Sequence, residues 1–154
     1  MATQEAIQAL AKARQELLRA ASESRDVDAL MASMSKDIIF TNKFAGVTVQ
    51  GWDAVRDFYA QAYESIPQFS ISNVTTTSFA PEFVAGEMDC AGVLAKAMPQ
   101  MNLKEGDMLK LRGVSLYWWR WEGKAGGWDG SLSDEAVRSW KIYKETAFLM
   151  PIVE

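Results

Sequence analysis

The spacing of the apolar residues changes at Pro67, and this change constrains the fold more than any other feature of the sequence. Between Thr3 and Pro67 most apolar residues recur every three or four positions, as they do along the buried face of a helix. After Pro67 the chain consists of segments rich in Ser, Thr, Val, Ile and aromatic residues, which are typical of β-strands. Helices followed by a run of antiparallel strands predict an α+β domain in which the helices cover one face of a sheet.

The first part of the chain carries the start and stop signals of three helices. Asp26 is a suitable N-cap for the second helix, Gly51 breaks the chain before the third, and Pro67 ends the third. The predicted helices are 3–24, 26–35 and 53–66, with a predicted strand at 38–44 between the second and the third.

Four further strands are predicted after Pro67, and the first two form a long hairpin. The turn of that hairpin is Ala80-Pro81-Glu82, and glycine-containing polar segments separate the later strands. The predicted strands are 69–79, 83–96, 109–122 and 136–145, with loops at 99–107 and 123–133 and a short tail at 147–153. A strongly bent sheet with helices across one end forms a cone, and the interior of such a cone is the expected ligand site.

Size and charge narrow the class of protein. The 154 residues are predicted to form one domain, 1–154, which is large enough to bury its own core. The net charge of −4 arises from interspersed signs without a basic block, so we expect no nucleic-acid partner. No segment has the pattern of a signal peptide or a membrane span, and Cys90, the single cysteine, allows no internal disulfide. We therefore expect a cytoplasmic protein without a membrane partner.

The chain contains no histidine. This excludes the commonest general base, the commonest zinc ligand and every catalytic pairing of Ser or Cys with His. Acid–base chemistry must therefore use Asp, Glu, Lys, Tyr or Cys. Because no Asp-rich loop with calcium-binding spacing is present either, we expect neither a metal nor another cofactor.

Four short stretches, taken in their order and spacing, resemble the SnoaL-like branch of the NTF2-like superfamily. They are Phe-Thr-Asn at 40–42, Gly-Trp-Asp-Ala-Val at 51–55, Arg-Gly-Val at 112–114 and Trp-Lys-Ile-Tyr at 140–143. This superfamily includes polyketide cyclases, ketosteroid isomerases and limonene epoxide hydrolase. The resemblance implies an NTF2-like (cystatin-like) cone, in which three N-terminal helices pack on a strongly curved, mainly antiparallel sheet.

The same resemblance implies positions for a site. In the epoxide hydrolases an Asn near the first strand helps to hold a water, and Asn42 occupies the matching place. Those enzymes also use an Arg and an Asp on a middle strand and an Asp on the last strand. In the preferred alignment these positions hold Met88, Cys90 and Ile142, so the hydrolase charges are missing.

The register of the middle strand leaves two alternatives open. In one, the more apolar face with Met88 and Cys90 is buried, and this alternative is favoured. In the other, a shift of one residue turns Glu87 and Asp89 inward, because successive strand residues face opposite sides. Two carboxylates facing a pocket would raise the pKa of one of them and make it a possible base. Facing solvent, they would be ordinary ionised acids.

Tyr117 is the main candidate on the following strand. Its phenol could donate a hydrogen bond to a developing oxyanion, or it could be a core tyrosine whose hydroxyl satisfies a backbone carbonyl. Gly113 on the same face would mark close packing beneath a ligand. Lys144 would neutralise an acidic substrate group at the rim or would lie in solvent. The other predicted pocket residues are Phe40, Leu111, Ser115, Trp119, Trp140 and Ile142, the last two sharing a face with Lys144.

The resemblance implies a cofactor-independent isomerase or cyclase, or a dehydratase, acting on a hydrophobic, oxygenated, polycyclic intermediate of secondary-metabolite biosynthesis. Tyr117, Asn42 and Asp89 would be its catalytic residues. The alternative is a non-catalytic module that binds a ligand or dimerises. A third possibility, hydrolysis of an epoxide or ester, requires the register in which Asp89 faces inward. A homodimer is expected through the outer face of the sheet, with Trp118 and Arg120 at the interface.

Overall fold

The computed structural model describes residues 2–152. Within this range the helices are α1 (Gln4–Glu23), α2 (Val27–Met31), α3 (Trp52–Ser65) and α4 (Asp134–Arg138), with a 3₁₀-helix at Pro99–Met101. The strands are β1 (Met34–Asn42), β2 (Val47–Gln50), β3 (Gln68–Ala80), β4 (Phe83–Val93), β5 (Met108–Trp121) and β6 (Trp140–Pro151). None of the helices in residues 2–152 has the length and apolar character needed to cross a membrane.

The strands form one curved, open sheet in the order β2-β1-β6-β5-β4-β3. Among the strands of residues 2–152 only β1 and β6 pair in parallel, so the sheet is mainly antiparallel, and the predicted α+β class and NTF2-like architecture are confirmed. Helix α1 is attached to β3 by two glutamines. Gln4 Nε2 donates to the carbonyl of Ser78 at 2.8 Å, and Gln8 Nε2 donates to that of Thr76 at 2.6 Å.

The predicted helix starts are close to the observed ones because local capping decides them. Thr3 accepts a hydrogen bond from the Ala6 amide at the start of α1, and Asp26 accepts one from the Ala29 amide at the start of α2. The predicted end of the second helix near residue 35 is wrong. Met34 already pairs with β6, so strand pairing ends the helix earlier than its apolar pattern indicates.

The predicted structure of the C-terminal segment is wrong in two places. Residues 134–138 form a helix, because Ser133 caps it by accepting a hydrogen bond from the Ala136 amide. The predicted tail at 147–153 is instead a continuation of β6 to Pro151, while Val153 lies outside the described residues. A strand paired on both sides, with β1 and with β5, is stabilised beyond what its own sequence indicates.

A β-bulge at Tyr143 changes which residues of β6 face the interior. Along β5, Trp118 pairs with Lys144, but the next residue, Trp119, pairs with Ile142, so Tyr143 is an extra residue. The alternation therefore restarts: Ile142 and Glu145 are both buried, whereas Lys144 is exposed. The prediction that Lys144 shares a face with Ile142 is wrong for this reason.

Candidate functional site

A largely apolar pocket with a cavity volume of about 180 Å³ lies between α1, α3 and the inner face of the sheet. Helix α1 contributes Gln15, Leu18, Arg19 and Ser22 to its wall, with Arg25 just beyond the helix end, and α3 contributes Tyr59, Ala62 and Tyr63. The sheet contributes Phe69, Ile71 and Val74 from β3, Met88 and Cys90 from β4, Tyr117 from β5 and Leu149 from β6. The pocket therefore offers an apolar surface to a ligand and a few polar groups.

Glu145 is buried immediately beside this pocket. It pairs directly with Tyr117 across the β5–β6 ladder, and its Oε1 accepts a hydrogen bond from the Tyr59 hydroxyl. Burial raises the pKa of the Glu145 carboxyl to about 7, while the hydrogen bond from Tyr59 acts in the opposite direction. The carboxyl is thus close to half ionised at neutral pH, which suits a group that accepts and releases protons.

Tyr59 and Tyr117 line the pocket on either side of this acid. Burial, followed by the nearby charge of Glu145, raises the pKa of both phenols well above the ordinary value of 10.0. Both side chains therefore remain neutral hydroxyl donors throughout the physiological range. The Phe40 ring packs against the Tyr59 ring, with 5.4 Å between the two ring centres, and so helps to fix the position of Tyr59.

Gln15 supplies a polar group that has no internal partner. Its side chain is 6% exposed, and its Oε1 atom is buried without a hydrogen bond within residues 2–152. Gly86 on β4 makes room for this amide, because a Cβ at position 86 would lie 2.1 Å from Gln15 Nε2. An orphan acceptor in a pocket wall favours a ligand that can donate a hydrogen bond.

Arg25 brings a positive charge to the same wall. Its guanidinium lies over the rings of Tyr63 and Phe69, at 4.3 and 4.2 Å from their centres. Nε donates to the carbonyl of Ile66 at 2.8 Å and Nη1 to that of Ser22 at 3.1 Å. Within residues 2–152 no carboxylate forms an ion pair with Arg25, so its charge is available to a ligand.

The observed register of β4 is the favoured one. Met88 and Cys90 are buried and line the pocket. Glu87 is exposed, and Asp89 faces outward, where it binds Arg112 Nε at 2.7 Å and Asn73 Nδ2 at 2.8 Å. The hydrogen bond from Arg112 has the largest effect on the pKa of Asp89 and lowers it below its ordinary value, and the hydrogen bond from Asn73 lowers it further. The placement of Glu87 and Asp89 in the pocket is therefore wrong.

Cys90 does not have the properties of a nucleophile. Burial raises the pKa of its thiol to about 11, and the nearby charge of Asp89 acts in the same direction. The thiol is therefore protonated at neutral pH and contributes to the pocket as an apolar wall residue.

Asn42 is also absent from the pocket wall. It lies at the end of β1, and its Oδ1 accepts a hydrogen bond from the Ala45 amide at 3.0 Å. The side chain thus closes the turn between β1 and β2. Polar residues at strand ends often stabilise turns in this way, and sequence alone could not separate that use from ligand binding.

Most of the remaining predicted pocket residues lie elsewhere. Ser115 is buried beside Tyr117 on β5, and Leu111 is half-buried further along the same strand. Lys144 is exposed, with Nζ 4.6 Å from the centre of the Trp118 ring on the outer face. Gly113 packs closely against β6 and not beneath a ligand, because a Cβ there would lie 2.0 Å from the Phe148 carbonyl oxygen. The predicted residues that belong to the hydrophobic core are Phe40, Trp119, Trp140 and Ile142.

Glu145 and Tyr59 are not among the site residues that the sequence predicts. Tyr59 lies within the third predicted helix, 53–66, without a motif that marks it as functional, and the predicted last strand ends at Glu145. One signal was present: Glu145, Ala147 and Leu149 alternate with polar or exposed positions, as residues on one face of a strand do. The bulge at Tyr143, which brings this face inward, has no sequence signature of its own.

Comparisons with known proteins agree with this fold. A model of the SnoaL-like domain family matches residues 15–125. Among solved structures, a candidate polyketide cyclase from Xanthomonas campestris pv. campestris has 18% identity and a TM-score of 0.68, over 91% of this chain and 90% of that one. A ketosteroid isomerase-like protein from Erwinia carotovora atroseptica has 13% identity and a TM-score of 0.63, over 96% and 97% of the two chains.

A candidate isomerase from Bacillus subtilis is similar as well, with 12% identity and a TM-score of 0.66 over 94% of this chain and 88% of that one. At identities this low the likeness of the structures concerns the fold, since one fold supports many functions. Among curated proteins, none matches this sequence.

Proposed function

Because this chain belongs to the SnoaL-like domain family, we propose that it is an enzyme that isomerises or cyclises a small hydrophobic, oxygenated molecule by acid–base chemistry. One observation carries the proposal: the buried Glu145, with a pKa near 7, is hydrogen-bonded to Tyr59 and lies beside Tyr117 at an apolar pocket. A carboxyl whose pKa is raised by burial at a pocket is a common feature of general bases.

The geometry suits proton transfer next to a carbonyl group. Tyr59 lines the pocket and Glu145 lies behind it, so the Tyr59 hydroxyl oxygen takes a proton from a substrate carbon while Glu145 takes the phenol proton. Tyr117 donates a hydrogen bond to the enolate oxygen that forms. Return of the proton to a different carbon gives an isomer. Attack of the enolate carbon on a second carbonyl within the substrate closes a ring, and the alkoxide that forms takes a proton from Tyr59 while Glu145 returns its proton to the phenol oxygen.

The volume of the pocket limits the size of the substrate group that it can enclose. An apolar cavity of about 150 Å³ holds a benzene ring, so a cavity of about 180 Å³ encloses a molecule or part of a molecule with one or two rings. We therefore expect a monocyclic or bicyclic group in the pocket, and a polycyclic substrate would extend beyond the mouth. Arg25 would face an anionic or carbonyl oxygen, and Gln15 Oε1 would accept a hydrogen bond from a hydroxyl.

A non-catalytic ligand-binding protein is the second candidate function. The apolar wall and the orphan acceptor of Gln15 favour ligand binding whether or not a reaction follows. Hydrolysis of an epoxide or ester is no longer supported, because it required Asn42 and Asp89 to meet in the pocket, and neither lines it.

We also propose a homodimer through the outer face of the sheet. Trp118 packs against Phe83 there, with 5.3 Å between ring centres, and Phe148 on the neighbouring β6 is 42% exposed. Sedimentation of the wild type and of Phe148→Lys would test this, since the substitution should shift a dimer to monomer. A wild-type monomer at all concentrations would contradict it.

The enzyme proposal is tested by hydrogen–deuterium exchange on small cyclic ketones. The purified protein is incubated in D₂O with cyclohexanone, 2-tetralone or a tricyclic ketone, and loss of the protons next to the carbonyl is followed by NMR. We expect the ratio of the exchange rates with and without protein to be largest for the bicyclic ketone, and the catalysed rate to rise with pH through about 7, because Glu145 must be ionised to act as a base.

Glu145→Gln and Tyr59→Phe should abolish this catalysed exchange, while Asp89→Asn, a matched loss of a carboxylate on the outer face, should not. If no ketone exchanges faster than in the protein-free control, although NMR shows these ketones bound in the pocket, the ligand-binding function replaces the enzymatic one.

A further inference from the structure

On the opposite side of α1 from the pocket, a second charged group is buried. Arg14 is 1% exposed, and only its Nη1 is satisfied, by the carbonyl of Pro81 at 2.8 Å. Nε and Nη2 are buried without a hydrogen-bond partner within residues 2–152, and no carboxylate in this range forms an ion pair with the side chain. Burying an unpaired charge is costly, so a missing partner is expected.

Two tryptophans next to Arg14 also have N–H groups that lack a hydrogen-bond partner in the described part of the chain. Its guanidinium carbon lies 4.4 Å from the ring centre of Trp119 and 5.2 Å from that of Trp140. The indole N–H groups of both tryptophans are also buried without a partner in the described part of the chain. All four unsatisfied atoms are therefore donors, and an acceptor is what this cluster lacks.

A cavity of about 290 Å³ adjoins this cluster, between α1, α2, α4 and the start of β6. Arg14, Trp119 and Trp140 belong to its wall, together with two further cations, Arg138 and Lys141. None of the described residues that line it is acidic. Arg138 already pairs with Asp134 at 3.0 Å, so the net charge available to the cavity comes from the other two cations.

We propose that this cavity binds a small organic carboxylate, which the charges of Arg14 and Lys141 attract, and that the buried N–H groups of Arg14 and the tryptophans turn toward its oxygens when it binds. A carboxylate has only acceptors, and its planar geometry matches the two-pronged guanidinium. Leu17 and Val137 provide apolar wall next to the two indole rings, which suits a carboxylate with a hydrocarbon or aromatic group. This site is separate from the Glu145 pocket and does not depend on the function proposed for that pocket.

The first test is a titration followed by tryptophan fluorescence and by the melting temperature. Benzoate should change the emission of Trp119 and Trp140 and raise the melting temperature with increasing concentration, since a ligand that binds only the folded state stabilises it. Benzamide, which has the same shape without the charge, should do neither. A parallel titration with inorganic phosphate tests whether the cavity prefers a carboxylate or a phosphate. Binding of benzoate but not of phosphate supports the proposal. Binding of phosphate but not of benzoate would overturn it.

Arg14→Met should weaken benzoate binding at least about tenfold, as expected for loss of charge-assisted hydrogen bonds. Arg112→Gln removes a cation from the outer face and should leave the affinity unchanged. If Arg14→Met does not fold, crystals of the wild type grown with 4-bromobenzoate give the answer from the anomalous signal of bromine. Bromine in the Arg14 cavity supports the proposal. Bromine only elsewhere, or water molecules bound to Arg14 Nε and Nη2 in the presence of bromobenzoate, would overturn it.

Discussion

Each side of helix α1 faces a buried ionisable group, and the two groups differ in whether they keep their charge at neutral pH. On one side, Glu145 is buried and accepts a hydrogen bond from the Tyr59 hydroxyl, and burial raises its pKa to about 7. On the other side, burial lowers the pKa of Arg14 to about 9, while the charge of Glu82 acts in the opposite direction. At neutral pH the carboxyl is therefore partly protonated, whereas the guanidinium keeps its charge. The first group is suited to moving protons and the second to holding an anion.

The aromatic residues on each side fit this difference. Tyr59 and Tyr117 present hydroxyl groups, which hydrogen-bond to an oxyanion and respond to its protonation. Trp119 and Trp140 present ring faces to Arg14, and ring faces attract a cation without being able to neutralise it. Glu145 can lose its charge by taking up a proton, so it needs no partner from outside the chain. Arg14 keeps its charge at neutral pH, so it still needs a hydrogen-bond acceptor.

Replacing the acid should have the largest effect. Glu145→Gln keeps the size of the side chain but removes its ability to take a proton, so the catalysed exchange rate should fall about 10²- to 10⁴-fold. The measurement is the initial rate with a saturating ketone, compared with Asp89→Asn. A variant that keeps most of the rate would show that Glu145 is only a buried structural acid.

The second-largest effect should be a change of the unfolding free energy with pH, caused by Glu145. The folded state raises the pKa of Glu145 from 4.5 to about 7, so its stabilising contribution is complete below about pH 4.5 and is lost as the pH rises through about 7. This loss should amount to about 3 kcal/mol of unfolding free energy. Urea denaturation of the wild type across this range should show it.

The difference between the wild type and Glu145→Gln isolates this effect from the other titrating groups. The two curves should diverge between about pH 5 and 7 and then run parallel. Curves that stay parallel over the whole range would mean that Glu145 is not buried as a carboxyl in solution.

Removing the buried cation should have a smaller effect on stability. Arg14→Met fills a similar space and eliminates an unpaired buried charge, which offsets the lost contacts with Trp119 and Trp140. In the absence of added carboxylate we expect the unfolding free energy to stay the same or to rise by about 1 kcal/mol. A loss of about 3 kcal/mol or more would show that Arg14 already has a full set of partners.

The smallest effect is expected outside both sites. Asp89→Asn breaks the ion pair with Arg112 on the solvent side of β4, where ion pairs contribute little. The denaturation midpoint should be indistinguishable from that of the wild type at moderate salt concentration. A clear loss of stability or of the exchange rate would reopen the alternative register, in which Asp89 faces the pocket.

The residues that the sequence predicted well are those decided by near neighbours. Thr3 and Asp26 cap helices through hydrogen bonds to residues three positions away, and the hairpin turn follows from Ala80-Pro81-Glu82. The inward face of β4, with Met88 and Cys90, follows from the alternation of apolar side chains. Tyr117 could be placed in the pocket wall for the same reason.

The main features of the candidate site depend on contacts between distant parts of the chain. Tyr59 and Glu145 are 86 residues apart and meet only when α3 packs on β1 and β1 pairs with β6. Asn42, which the resemblance placed in the pocket, instead closes a turn with Ala45, and both uses suit a polar residue at a strand end.

The sequence by itself determined the α+β order of elements, the helix caps, the absence of histidine chemistry and the apolar face of β4, because these depend on residue type and local spacing. The tertiary structure alone decided which acid is buried. A single extra residue at Tyr143 reverses the alternation along β6, turning Lys144 to solvent and Glu145 inward. Whether a strand accommodates such a residue depends on its pairing with both neighbours, and that pairing exists only in the folded sheet.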